Sequence, residues 1–126
     1  MEEVPFTNTM PISRRALLQH SVMRRKAYLE PEGIPSISKP IELKNGNYRI
    51  GRSNDCEIKV SLNNISRIHA RIYEKKGEYV LEDLRSTNGT FVNGVRIVWC
   101  TLRDGDIIEI GEAKFNFYEE KVRENS

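Results

Sequence analysis

The sequence predicts an all-β fold, a two-sheet antiparallel sandwich over residues 39–120, with an N-terminal tail before it (1–38) and a short C-terminal tail after it (121–126). Three observations carry this prediction. Apolar residues alternate with polar ones from Ile41 through Phe117, the two-residue period of strands with one buried face. Turn-forming pairs interrupt that alternation at short intervals. No helical periodicity follows Leu29. Nine or ten short strands of this kind pack as two stacked sheets, which bury the alternating Ile, Val, Leu, Phe and Tyr positions between them.

Taken in order, residues 1–38 differ from the rest. They hold Pro5, Pro11, Pro31 and Pro35, four of the five prolines. The stretch "SRRALLQHSVMRRKAYL" (13–29) has Ser13 as an N-cap for a helix. Its basic residues interleave with Leu17, Leu18, Val22 and Leu29 around a helical wheel, so it forms no clean amphipathic face. It reads as a flexible or partly helical tail. "IELKNGNYRIG" reads as a hairpin about Asn45-Gly46, "ARIYEKKGEYVLEDL" as two strands about Lys76-Gly77, and "TFVNGVRI" as a hairpin about Asn93-Gly94. "DIIEIGEAKFNF" closes the fold with a turn near Gly111. "SLNNIS" (61–66) and "RSTNG" (85–89) do not alternate and read as loops, where binding residues usually sit on a rigid scaffold. The two Asn-Gly pairs at 88–89 and 93–94 are too close for both to be hairpin turns, so the first has another task.

Composition narrows the function. Charged residues are 30% of the chain and the net charge is +2. Residues 1–38 carry 5 basic and 4 acidic side chains, leaving 15 of the 20 basic and 14 of the 18 acidic residues for the remainder. Such balance gives no field to gather nucleic acid or an anionic membrane, so any anion site must be local. Cys56 and Cys100 have neither metal-ligand spacing nor a disulfide framework around them. With no long apolar run and no signal-peptide pattern, the chain reads as intracellular: cytoplasmic, or nuclear in a eukaryote. No metal or cofactor is expected.

The loops offer guanidinium groups, hydroxyls and an amide: Arg52 after Gly51, then Ser66, Arg67 and His69, then Arg85, Ser86, Thr87 and Asn88. Arginine presents a planar fork of donors that matches phosphate oxygens, and serine and threonine add neutral, directional donors. No paired carboxylate accompanies them, and no third residue is evident to orient a Ser66–His69 pair. The set suits holding a multi-oxygen anion, and an enzyme is not expected.

The pattern "GRSNDCEIKVSLNNISRIHARI…YVLEDLRSTNGTFVNGVRI…LRDGDIIEIG" resembles a forkhead-associated (FHA) domain from about Tyr48 to Phe117, with GR, SRxHA, STNGTFVNG and DGD-IIEIG in the family's order. The resemblance implies a module that binds phosphothreonine on a partner protein, prepared by a Ser/Thr kinase. It implies that Arg52 and Ser66 hold the phosphate, that Arg67 is a second basic phosphate contact, that Thr87 touches the phosphate region and that Asn88 holds the ligand backbone. Gly51, His69, Gly89, Asn93 and Gly94 would shape the motif. Arg85 reads as a solvated charge. Thr7 and Thr9, the latter followed three residues on by Ile12, are candidate phosphorylation sites through which the tail would bind its own domain or a neighbour's. The alternatives are a phosphate-independent interaction scaffold and, further off, nucleic-acid binding through the basic tail.

Overall fold

The structure, a computed structural model, describes residues 21–44 and 46–125, with side chains from 25 to 121 apart from residue 45. Eleven strands run through them in chain order: β1 (Ser21–Glu32), β2 (Ile41–Leu43), β3 (Asn47–Gly51), β4 (Ile58–Lys59), β5 (Ala70–Lys75), β6 (Glu78–Asp83), β7 (Thr90–Val92), β8 (Val95–Ile97), β9 (Trp99–Thr101), β10 (Ile107–Ile110) and β11 (Ala113–Asn125). No helix occurs among the described residues. One sheet has the order β9-β6-β5-β3-β4 and the other β2-β1-β11-β10-β7-β8. Residues 27–119 form one compact unit; residues 1–26 with 120–126 form a second, whose described residues are the outer ends of β1 and β11.

Within the 27–119 unit the alternation is spent as expected. Ile50, Ile72 and Leu81 from one sheet and Leu29, Ile108, Ile110, Phe115 and Phe117 from the other have no exposed surface. Each such side chain contributes roughly 1.5–3 kcal/mol by leaving water. The register follows from keeping these positions on one face: Ile72 lies opposite Leu81, and Ile108 opposite Phe115. The hairpins at Lys76-Gly77, Asn93-Gly94 and Gly111 form as predicted. Asn93 (φ 52°) and Gly94 (φ 82°) take the left-handed conformations of a tight hairpin turn.

Four expectations need correction. The 13–29 helix is not what forms over its described part, which is strand β1; Ser13 lies outside the described residues. Ala27 and Leu29 are buried opposite Leu43 and Ile41, and Tyr28 between them is half-buried, so a period of two hides behind the basic run Arg24–Lys26. The domain therefore does not begin at residue 39: Ala27, Leu29 and Ile34 belong to its core. Residues 121–125 are not a tail but the end of β11. Ile41–Leu43 and Asn47–Gly51 do not pair as a hairpin, since β2 pairs with β1 and β3 with β5, and the turn carries the chain from one sheet to the other. The two-sheet sandwich itself forms as expected, with one parallel pair in it: β3 beside β4, Ile50 opposite Ile58.

Candidate functional site

Three loops meet beside the ends of β3, β5 and β6. The first starts at Gly51. A β-carbon there would stand 2.2 Å from the Arg67 carbonyl oxygen, so only glycine lets the first loop lie against the second. Two backbone bonds then join them, Arg52 N–H to the Ser66 carbonyl (3.1 Å) and Ser53 N–H to the Arg67 carbonyl (3.0 Å). The Arg52 guanidinium donates through Nε to the Ile65 carbonyl at 2.9 Å. Its two terminal nitrogens make no hydrogen bond to another described residue. The fork is thus held by its stem with its donors outward.

His69 ties the second loop to the third. It is wholly buried. The Ser66 N–H donates to its Nδ1 at 3.1 Å, so Nδ1 is the bare acceptor and Nε2 carries the proton, which it donates to the Gly89 carbonyl at 2.8 Å. The ring addresses the amide of Ser66, not its hydroxyl. That hydroxyl instead accepts the Thr87 N–H at 3.0 Å, which leaves its own proton to point elsewhere.

The third loop is built on Asp83, at the end of β6. Its carboxylate accepts from Ser86 N–H (3.1 Å), Ser86 Oγ (2.6 Å) and Thr90 Oγ1 (2.7 Å), and Ser86 Oγ in turn accepts the Gly89 N–H at 2.9 Å. Burial pushes the Asp83 carboxyl upward, but these hydrogen bonds outweigh it and hold the group below its ordinary value. Gly89 takes φ +94°, and a β-carbon there would stand 2.8 Å from the Arg96 guanidinium.

Arg52, Ser66, Thr87 and Asn88 thereby line one open cleft of about 360 Å³, with Leu62, Asn63, Asn64 and Ile65 completing its wall. Four of the five residues picked as ligand contacts are brought together. Asn88 Nδ2 donates to the Asn64 carbonyl at 3.2 Å, and its Oδ1 has no partner among the described residues. The fifth, Arg67, faces an adjoining cleft, which shares Arg52 with the first. Asn93 lies outside both, in its hairpin, where its side chain receives the Ile107 N–H and donates to Asp106, each at 2.9 Å. Thr7 and Thr9 lie outside the described residues.

Arg52 and Arg67 have no ion pair among the described residues. Arg49, Arg71 and Arg103 are instead matched to Glu57, Glu82 and Glu78 at 3.2, 2.7 and 3.0 Å. The cations beside the cleft thus carry no carboxylate partner among the described residues. Asp83 and Asn64 were not singled out from the sequence. Asp83 is foreshadowed by an Asp followed at three residues by Ser, a side-chain-to-backbone turn pattern; for Asn64, with φ 68°, the doubled asparagine is the only local sign.

Among the described residues, no cluster of three or more His, Cys, Asp or Glu side chains is placed to hold a metal, and no helix is long and apolar enough to cross a membrane. Cys56 and Cys100 are free thiols.

Known proteins resemble this chain in sequence and fold. The chain is 43% identical over 76 residues to the ABC transporter ATP-binding/permease protein Rv1747 of Mycobacterium tuberculosis, which is 60% of this chain and 9% of that one. It is 46% identical over 70 residues to the transcriptional regulatory protein EmbR of the same organism, 55% of this chain and 18% of that. It thus spans less than a fifth of the length of either relative. EmbR in complex with a low-affinity phosphopeptide superimposes at a TM-score of 0.67 (38% identity, 74% of this chain and 24% of that). The FHA domain of FhaA complexed with the intracellular domain of Rv3910 superimposes at 0.66 (30% identity, 72% and 98%). The family model of the FHA domain matches residues 48–111. On this match and on its β-sandwich, the chain belongs to the FHA domain family.

Proposed function

We propose that this domain binds phosphothreonine in a partner protein, with Arg52, Ser66, Thr87 and Asn88 as its contacts. The observation that carries the reading is Arg52, anchored through Nε with its terminal nitrogens unpaired among the described residues, in the wall of a cleft that also presents Ser66 and Thr87. A phosphate offers nearly two negative charges and several acceptor oxygens. Arg52 supplies paired, charge-assisted donors to it. The Ser66 hydroxyl, already accepting from Thr87, donates its proton, and the Thr87 hydroxyl reaches the same region. Asn88 Oδ1 accepts a peptide N–H. The EmbR phosphopeptide complex and the FhaA complex support carrying this mode across. The reaction that prepares the ligand is phosphoryl transfer to threonine by a Ser/Thr kinase.

Each charge-assisted bond contributes roughly 1.5–3 kcal/mol net. After the cost of ordering a peptide, a few of them give micromolar binding, on the order of −8 kcal/mol. The test is a titration of a degenerate phosphothreonine peptide library, with phosphoserine and unmodified controls, against the wild type and Arg52→Ala. The wild type should bind the phosphothreonine peptides selectively, and Arg52→Ala should bind them at least about tenfold more weakly. Equal affinity of the two proteins overturns the assignment; capture without phosphate dependence would make the domain a scaffold that binds through another face. The tail offers a ligand in cis or from a second copy: phosphorylated Thr9, with Ile12 three residues on, or phosphorylated Thr7. Amide NMR shifts at Ser66 and Thr87 should move on tail phosphorylation, and unchanged shifts dismiss that ligand.

A further inference from the structure

The face of the five-stranded sheet that turns away from the core holds a further cleft, about 470 Å³, which shares no residue with the two beside Arg52. Its floor is Val80. That side chain is buried yet lies outside the core cluster, because it alternates with Tyr79 and Leu81, which belong to the cluster. The register places Tyr73 on one side of Val80 and Thr101 on the other. Trp99, two residues before Thr101, stands 61% exposed at the same cleft, and Val98 beside it is 76% exposed. Large apolar side chains left together in water mark a surface built to be covered.

Trp99 and Thr101 also form an open sheet edge. Val98 C=O receives the Asp83 N–H and Tyr79 C=O receives the Leu102 N–H, each at 2.8 Å, so Trp99–Glu82 and Thr101–Val80 are the non-hydrogen-bonded pairs of this ladder. The N–H and C=O groups of Trp99 and Thr101 therefore point away from β6, on the side where β9 has no neighbouring strand. Strand β9 carries neither charge nor proline, the usual devices that protect an edge from pairing. The charge lies inside the cleft. Both carboxylates at its border are taken, Glu82 by Arg71 at 2.7 Å and Glu78 by Arg103 at 3.0 Å. Arg71 also covers the Tyr73 ring at 4.4 Å, which steadies that wall. Lys75 and Lys76 at the same border have no ion pair among the described residues.

We propose that β9 and this cleft form a docking site for an extended segment of a partner protein, added as a strand beside Trp99–Thr101. The side chains it turns toward the cleft are apolar, with an aspartate or glutamate among them to meet Lys75 and Lys76. Main-chain bonds to the edge supply affinity, and the cleft selects among alternate side chains. A second copy pairing its own β9 here would bring no carboxylate on that strand to the lysines. The segment needs no phosphoryl group, so the site stands independently of Arg52.

The test begins with a displayed library of random unphosphorylated decapeptides, selected on the full chain. Enriched sequences should alternate apolar residues and carry Asp or Glu, and the strongest is then synthesised and titrated. Amide NMR shifts should move at Tyr73, Val80, Trp99 and Thr101 and stay at Ser66 and Thr87. The Trp99 and Thr101 amides should exchange more slowly once bonded. Thr101→Pro removes an outward N–H and spares the bonds to β6, as an edge position allows. It should weaken the peptide at least about tenfold, and so should Trp99→Ser. Lys75→Glu/Lys76→Glu should weaken it about fivefold, and the Glu-to-Gln form of the peptide should not sense that change. A cooperative thermal transition marks each variant as folded; if Thr101→Pro lacks one, Trp99→Ser and the lysine pair decide. A selection without the alternating acidic pattern, shifts confined to Ser66 and Thr87, or affinity untouched by Trp99→Ser overturns the site. So does a chain that sediments as a dimer and becomes monomeric in Trp99→Ser, which would give the edge to a second copy.

Discussion

Gly51 and His69 hold the loops against one another. Gly51→Ala puts a methyl group against the Arg67 carbonyl, where backbone must yield, and should destabilise the domain by about 1–3 kcal/mol in urea denaturation. His69→Phe fills the site with an apolar ring but strands the part-buried Ser66 N–H and the buried Gly89 carbonyl, a loss that costs about 1–3 kcal/mol for the buried group. Its thermal midpoint should fall, and phosphopeptide affinity with it, because both loops lose their common brace. The residues that line the cleft were legible: Arg52, Ser66, Thr87 and Asn88 stand out as residue types suited to an anion, and the family pattern gave them order. Asp83 did not stand out, because its role is to satisfy groups folded back from Ser86 and Thr90. Such bonds depend on the path of the loop, which no period in the sequence encodes. Arg67 was legible as a cation but not as lining the cleft beside Arg52, Ser53 and Lys59, which depends on the path of the two loops bonded there.

At the scale of elements, hairpins closed by two residues were readable because turn chemistry and strand alternation point to the same pairing. Asn45-Gly46 misled for a physical reason: β2 and β3 alternate correctly, but each buries its face from a different sheet. Local sequence does not choose between a hairpin and a corner. Strand β1 was masked by arginine and lysine beside Ala27 and Leu29, whose burial only β2 and β11 create. The correction has a consequence that can be measured. Deleting residues 1–38, harmless if they were a tail, removes the strand between β2 and β11 together with Ile34. The shortened chain should lose cooperative thermal unfolding by circular dichroism and the dispersion of its amide NMR spectrum. The third loop depends similarly on one group: Asp83→Ala should lower stability by about 2–3 kcal/mol, with an unchanged denaturant slope.

For the whole molecule, the acid limb of stability follows from carboxylates held in the folded state. Hydrogen bonds from Arg49 lower the Glu57 carboxyl from about 4.5 to about 2, and Asp83 also lies below its ordinary 3.8. The unfolded chain then binds more protons than the folded one, so the Glu57 contribution is complete above about pH 4.5 and fades as pH falls toward about 2, and the Asp83 contribution is likewise lost below its ordinary range. Glu57 is exposed, so its share is modest. A series of denaturation curves from pH 6 to pH 2 should show stability declining through this window, and Glu57→Gln should flatten part of the decline.

One feature of the larger sheet reaches beyond the domain itself. Strands β1 and β11 are neighbours, and Tyr28 stacks on Tyr118 with ring centroids 5.0 Å apart. The polypeptide therefore enters the 27–119 unit and leaves it at almost the same place. A body threaded in this way behaves like a bead clipped onto a string: splicing it into a host loop asks the host to separate its two cut ends by little more than the width of two strands. The geometry makes the domain portable, able to sit within architectures unlike its own.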